Sequence, residues 1–284
     1  MKRILVPTDF STCANNAIDF AVQSAKVFPA EVILVHSFEV AGDTYTDYMG
    51  VNREFNQTLL HETNNEFARV KSVLKETEGI SVESYVSTTS LKDTIVKVSG
   101  EKKINFIVMG TSGASGIKEK LWGSKTAAII GKSHLPVLAV PVDYKWKCPE
   151  KILLLTNHFE DDSAMLDFIF EMASFYKAVV YVAVYTDEEE DIAVTFLEHT
   201  RKIGVYEKLL KEKYNNESIV VTHLYGKEFE TALQDYIKEK HIDMLAMITY
   251  QRKFPDTLFH PSITKRMAYH TKIPLLAIPA TNVD

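Results

Sequence analysis

Cysteine is scarce: Cys13 and Cys148 are the two in 284 residues. Two thiols cannot build a disulfide framework, and neither belongs to a Cys-x-x-Cys or Cys/His spacing that holds a structural metal. That pattern implies a reducing compartment. Long hydrophobic runs are missing too. The longest wholly apolar stretch, 178–185, falls far short of the roughly 18 residues that a membrane-spanning helix needs. After Met1 only Ile4-Leu5-Val6 precede Pro7 and Asp9, too little for a signal peptide. The expectation is a cytoplasmic, soluble protein with no membrane contact. Positive charge is not in excess either: Lys+Arg number 32 against 38 Asp+Glu, a net charge of −6. No bulk field exists to hold nucleic acid or anionic lipid, so no nucleic-acid partner is expected. What is present is 46% hydrophobic and 25% charged residues, the balance of a globular chain and not of a disordered one. The length predicts two compact units.

The chain repeats itself. An offset of 148 lays Ile4-Leu5-Val6-Pro7-Thr8-Asp9 on Ile152-Leu153-Leu154-Leu155-Thr156-Asn157, and Val32-Ile33-Leu34-Val35 on Val180-Tyr181-Val182-Ala183. Later in each copy the offset is 138: residues 104–109 fall on 242–247, and Pro136-Val137-Leu138-Ala139-Val140-Pro141 on Pro274-Leu275-Leu276-Ala277-Ile278-Pro279. The second copy is thus about ten residues shorter. This predicts a first domain over 1–143, a linker over 144–150 and a second domain over 151–284.

Within the first copy, β-branched runs at 2–7, 31–37, 81–87, 104–110 and 136–141 alternate with helical patterns at 11–27, 52–78, 90–102 and 123–133. Runs such as Ile104-Asn105-Phe106-Ile107-Val108-Met109 do not alternate apolar with polar, which points to parallel strands covered on both faces. The expected class is α/β: two tandem, doubly wound parallel-sheet domains. In such folds ligands sit beyond the carboxyl ends of the strands, where the strand order switches.

The first strand runs into Pro7-Thr8-Asp9-Phe10-Ser11. By position alone, Asp9 and Ser11 read as caps of the following helix. The fourth strand ends in Met109-Gly110-Thr111-Ser112-Gly113-Ala114-Ser115-Gly116, and Gly123-Ser124-Lys125-Thr126 opens the next helix. Glycines let backbone N–H groups approach an anion, and a helix start adds unpaired donors. Gly and Ser also serve simply to turn a chain, so composition leaves a phosphate cradle and a turn level.

The spacing separates them. Gly110-x2-Gly113-x9-Gly123-Ser124, after a repeat unit whose first strand ends in Pro-x-Asp-x-Ser, resembles the ATP-binding members of the universal stress protein family. The likeness spans 1–142 and, more faintly, 151–280. It implies a tandem member with a nucleotide site in the first domain. Asp9 would face the adenine and ribose, with Pro7 and Thr8 beside it. Ser37 would present backbone to the adenine and Met109 would pack nearby. Gly110, Gly113, Gly123, Ser124, Lys125 and Thr126 would surround the phosphates of ATP, with or without magnesium. The third strand departs from the family pattern, carrying Thr88-Thr89-Ser90 where glycine is common. The resemblance also implies an internal pseudo-dimer through the closing strands, 136–141 and 274–279. A Walker A loop is excluded, because Gly131-Lys132-Ser133 has Thr126 where the leading glycine belongs.

The second copy lacks the cradle: Gly110 becomes Ile248, Gly113 becomes Gln251, Gly123 becomes Pro261, and Asp9 becomes Asn157, while Ser124 persists as Ser262. His158 and His260 read as scattered histidines, the acidic run 187–191 as a solvated face, and 39–56 as a flap over the adenine or as surface filler. The leading expectation is a stress or signalling protein whose nucleotide state alters contacts with itself or a protein partner. A slow ATP hydrolase or phosphoryl-transfer enzyme is the alternative. Phosphoryl transfer needs metal-holding carboxylates and a positioned base, whereas the cradle offers Lys118, Lys120 and Lys125. A ligand-free interaction protein is the third reading.

Overall fold

A computed structural model of the chain describes residues 1–39, 51–111, 124–156, 159, 163–187, 193–226, 228–249 and 271–280. Two compact units result, Met1–Gly110 and Thr111–Asp284. Among the described residues, no helix is long and apolar enough to cross a membrane.

The first unit contains β1 (Lys2–Pro7), α1 (Thr12–Val27), β2 (Ala30–Ser37), α2 (Val51–Glu78), β3 (Glu83–Ser87), α3 (Leu91–Lys102) and β4, which runs Phe106–Thr111 and so ends at the unit boundary. The strands lie in the order β3-β2-β1-β4, parallel throughout. Leu5 pairs with Ile33 on one side and Ile107 on the other. Ile4, Leu5, Val6, Ile107 and Val108 are buried, as strands sandwiched between helices require. Helix α1 buries Ala14, Ala17, Ile18, Ala21 and Val22, one face at helical spacing. After β1 the chain builds outward through β2 and β3, then returns to place β4 on the opposite side of β1. That reversal creates the switch point between β1 and β4.

The second unit holds α4 (Ser124–Ile130), β5 (Val137–Pro141), β6 (Lys151–Thr156), α5 (Ser163–Tyr176), β7 (Val179–Asp187), α6 (Ala193–Tyr214), β8 (Val220–Gly226), α7 (Phe229–Lys240), β9 (Met244–Thr249) and β10 (Leu275–Pro279). Its strand order is β5-β10-β9-β6-β7-β8. Every pair is parallel except β5 with β10, which run antiparallel with Leu138 opposite Leu276. The expected pairing of the closing strands is therefore present. The spatial division at 110 differs from the sequence repeat because β5, the last strand of the first copy, lies hydrogen-bonded to β10. Strand β4 starts at Phe106 and not at 104: the N–H of Ile104 donates to the Ser99 carbonyl at the end of α3 (3.1 Å), and that of Asn105 to the Arg3 carbonyl (2.9 Å).

The repeat extends to individual hydrogen bonds. The Arg3 N–H donates to Asn105 Oδ1 (2.8 Å), and the Arg3 side chain donates to the Lys102 carbonyl (2.8 Å). In the second copy the Lys151 N–H donates to Asp243 Oδ2 (3.0 Å) and Lys151 Nζ to the Lys240 carbonyl (2.8 Å). The Thr249 hydroxyl donates to the Ile278 carbonyl (3.0 Å), as Thr111 does to Val140 at a longer 3.5 Å. The helices before β4 and β9 both end on a left-handed residue, Lys103 (φ 50°) and His241 (φ 54°).

Asp243 does more than its counterpart Asn105. It also accepts from the Glu150 N–H (3.0 Å) and from Lys147 Nζ (3.0 Å), tying 147–151 to the foot of β9. Edge strand β8 is guarded in a similar manner: Glu207 of α6 accepts from the Val221 N–H (3.0 Å) and from Lys211 Nζ (2.7 Å). The Lys211 hydrogen bond, then the Val221 N–H, hold the Glu207 carboxyl below its ordinary range.

Asp243→Ala should lower the unfolding free energy by about 2 kcal/mol, the value of charge-assisted bonds whose N–H partners lose their acceptor, read as a lower urea midpoint. A depressed carboxyl pKa adds stability above the unfolded value of 4.5 and loses it as pH falls through the lower folded value. Glu207→Gln should therefore be less stable than wild type at neutral pH, with the gap closing on acidification below about pH 4, measured as paired urea midpoints.

Candidate functional site

The carboxyl ends of β1, β2 and β4 converge in the first unit. Thr8 is buried and fully engaged: its N–H donates to the Val35 carbonyl (2.8 Å), its carbonyl receives His36 Nδ1 (2.8 Å), and its hydroxyl oxygen accepts the Phe10 N–H (3.0 Å). Asp9 stands exposed directly beyond it, with Oδ1 accepting the Ser11 N–H (3.1 Å). Ser11 is the cap of α1, its hydroxyl oxygen accepting from the Ala14 N–H (3.3 Å). The capping role thus falls to Ser11, while Asp9 organises the turn in front of it.

Pro7 closes β1 in the buried core, and Ser37 closes β2, half-buried and paired with Ser87. Met109 is buried on β4. Gly110 follows, and a Cβ there would lie 2.0 Å from the Cys13 carbonyl oxygen and 2.5 Å from its carbon. The first turn of α1 is packed against the end of β4, so this position excludes any side chain. The space a side chain would need at Gly110 is taken by the Cys13 carbonyl of α1. In the second unit Lys125 is exposed and Thr126 buried on α4, which begins at Ser124. Gly113, Gly123, Lys118, Lys120, Asn157, His158, Gln251, His260, Pro261 and Ser262 lie outside the described residues, as do positions 40–50 and 188–191.

Several neighbours carried no signal in composition. Phe10 has a left-handed backbone (φ 60°). Its ring stacks on His36 (centroids 5.2 Å apart, 25° between planes) and meets Phe67 edge-on (5.2 Å, 72°). Beyond β3, where glycine was expected and absent, hydroxyls form a chain: Ser87 with Thr89 (2.9 Å) and Thr89 with the buried Thr94 (3.0 Å). At these strand ends the exposed Asp9 carboxylate can accept hydrogen bonds, and the Ser37 hydroxyl can donate or accept them.

A second concavity, about 570 Å³, lies in the second unit between α5 and the end of α6, lined among others by Asp167, Phe170, Lys177 and Tyr214. Tyr214 stacks on Phe170 (3.9 Å, 19°) and donates to Asp167 (2.7 Å). Burial, then that hydrogen bond, raises its hydroxyl pKa well above the ordinary tyrosine value. This groove borders Val179 at the start of β7, the wrong end of the strand for the ligand rule.

The model of the universal stress protein family matches residues 1–141 and again 149–279. Universal stress protein MJ0577 of Methanocaldococcus jannaschii is 30% identical over 153 residues, covering 49% of this chain and 94% of the relative. Universal stress protein YxiE of Bacillus subtilis is 29% identical over 145 residues, 49% of this chain and 98% of its own. Among solved structures, a universal stress protein from Archaeoglobus fulgidus superposes with a TM-score of 0.73 over 98% of both chains, at 16% identity. That likeness speaks to the fold alone.

Gly110→Ala should cost roughly 1–3 kcal/mol, the price of overpacking against backbone. Gly100→Ala and Gly204→Ala, on helices with nothing within 4 Å of the new methyl group, should instead gain up to about 1 kcal/mol. Thermal melts of the three unliganded variants compare them directly.

Proposed function

The chain belongs to the universal stress protein family, and we propose that its first repeat binds ATP, the bound state altering the contacts the protein makes with itself or with a protein partner. The observation that carries this reading is the spacing Gly110-x2-Gly113-x9-Gly123-Ser124, which follows the strand at the switch point and is absent from the second repeat. Asp9 and Ser37 are assigned to the nucleoside, with Pro7, Thr8 and Met109 forming the floor beneath it. Gly113, Gly123, Ser124, Lys125 and Thr126 are assigned to the phosphates. Gly110 belongs to this set through the turn it permits, since its own side-chain space is taken by α1.

The second repeat is assigned no nucleotide. The position equivalent to Gly110 holds Ile248, a branched, buried side chain. Any turnover is slow, because phosphoryl transfer needs several metal-holding carboxylates and a base, and over 110–126 the sequence offers Glu119 alone among Lys118, Lys120 and Lys125. Two cysteines and a net charge of −6 fit a cytoplasmic setting.

Titration calorimetry of ATP into nucleotide-stripped protein should give one site per chain; two sites would overturn the assignment of the second repeat. Gly113→Val should leave the unliganded melt near wild type and abolish the ATP-induced rise. In wild type that rise corresponds to about 2.7 kcal/mol at a hundredfold excess over Kd. A wild-type rise in the variant would remove the glycine pattern as the basis of the reading.

A further inference from the structure

We infer that Phe10 is a positioning residue: its ring, held between His36 and Phe67, fixes the turn between β1 and α1 so that Asp9 stands outward before any ligand arrives. The consequence for nucleotide binding rests on the reading of the first repeat as an ATP site. The consequence for the turn does not.

The backbone supplies the first argument. A φ of 60° is ordinary for Gly and tolerated by Asn or Asp, but a bulky residue adopts it only where its surroundings impose it. Glycine would take this turn without strain, so the presence of phenylalanine calls for an account of what its ring does. The ring reaches two separate elements: it lies against His36 on β2 and against Phe67, which is 2% exposed, on α2.

His36 is itself immobilised. A carbonyl only accepts, so His36 Nδ1 donates to Thr8 O, which sets the tautomer and orients the ring plane on which Phe10 rests. Phe38, just past the end of β2, lies a further 6.2 Å from His36 and extends the aromatic group. The links then close on the turn. Thr8 holds the Phe10 N–H through its hydroxyl, and Asn15 Nδ2 donates to the Phe10 carbonyl at a long 3.5 Å. With residue 10 fixed, the Ser11 N–H meets Asp9 Oδ1 and the Ser11 hydroxyl meets α1. Asp9 is thereby held by its neighbour in sequence, while rings from β2 and α2 hold that neighbour.

Preorganisation of this kind improves binding by removing the ordering cost from the association step. A core role alone would alter only global stability. The two are separated in the full-length, nucleotide-stripped chain by amide hydrogen exchange over residues 8–12, by ATP titration and by thermal melts of Phe10→Gly and Phe10→Tyr. Phe10→Gly relaxes the backbone strain yet removes the ring. It should speed exchange at Ser11 about tenfold and weaken ATP by a similar factor, the upper range of one aromatic pair. Phe10→Tyr keeps the ring and should restore both. Unchanged exchange in Phe10→Gly overturns the inference, as does faster exchange with wild-type ATP affinity, or a Phe10→Tyr protein that behaves like Phe10→Gly. If wild type itself fails to bind ATP, the functional reading falls, and the exchange measurements alone decide the role of Phe10.

Discussion

Burial of a parallel sheet on both faces is the constraint from which the rest follows. The buried stretch of a strand such as β1, flanked by β2 and β4, cannot carry a polar side chain without leaving it unpaired. Chemistry is therefore pushed to the strand ends, where the chain leaves the sheet and polar groups regain partners. The residues that matter begin at the first position past the apolar run: Thr8 after Val6-Pro7 and Gly110 after Met109. In the second unit the equivalent positions are Thr156, closing β6, and Ile248, next to last in β9. The same constraint explains why Arg3 and Lys151, at the opposite ends of their strands, reach for helix carbonyls.

The two copies keep one skeleton and differ in how they spend it. Asn105 and Asp243 occupy equivalent places and make the same contact to the preceding copy of β1 or β6. The added charge of Asp243 lets it gather Lys147 and the Glu150 N–H as well. The segment joining the copies is fastened to the foot of β9 by this carboxylate, and Trp146 also meets the Tyr176 ring of α5. The strand-start contact made by Asn105 in one copy is, at Asp243 in the other, also a fastening for the linker. Conversely, Gly110, where a Cβ would strike the Cys13 carbonyl, has the buried Ile248 as its counterpart, so the copies agree in framework and differ at this position.

The framework was legible because it is written in runs: four or more consecutive apolar residues repeat at fixed offsets, and every strand of the first copy appeared within about two residues of its expected place. The site was legible only where a residue type is diagnostic by itself. Glycine at 110 announced a constraint, but which constraint required knowing that the Cys13 carbonyl lies there. Phe10 announced nothing, since a phenylalanine after a strand reads as core. Its significance lies in a dihedral angle and in partners 26 and 57 residues away, His36 and Phe67. The Asn105 and Asp243 contacts could have been found, because a polar residue at the start of a buried strand recurs in both copies under the offset of 138.

The antiparallel pairing of β5 with β10 joins residues 138 positions apart, Leu138 with Leu276. Synthesis proceeds from the amino terminus at about 5–20 residues per second, so β5 exists on the order of ten seconds before its partner has been made. Throughout that interval the nascent chain presents Val137 to Val140, an apolar strand with one side awaiting hydrogen bonds. Any other ribosome that has passed this point on the same message carries the same strand. The order of manufacture, more than the finished architecture, sets when this protein is most exposed to pairing with the wrong copy of itself.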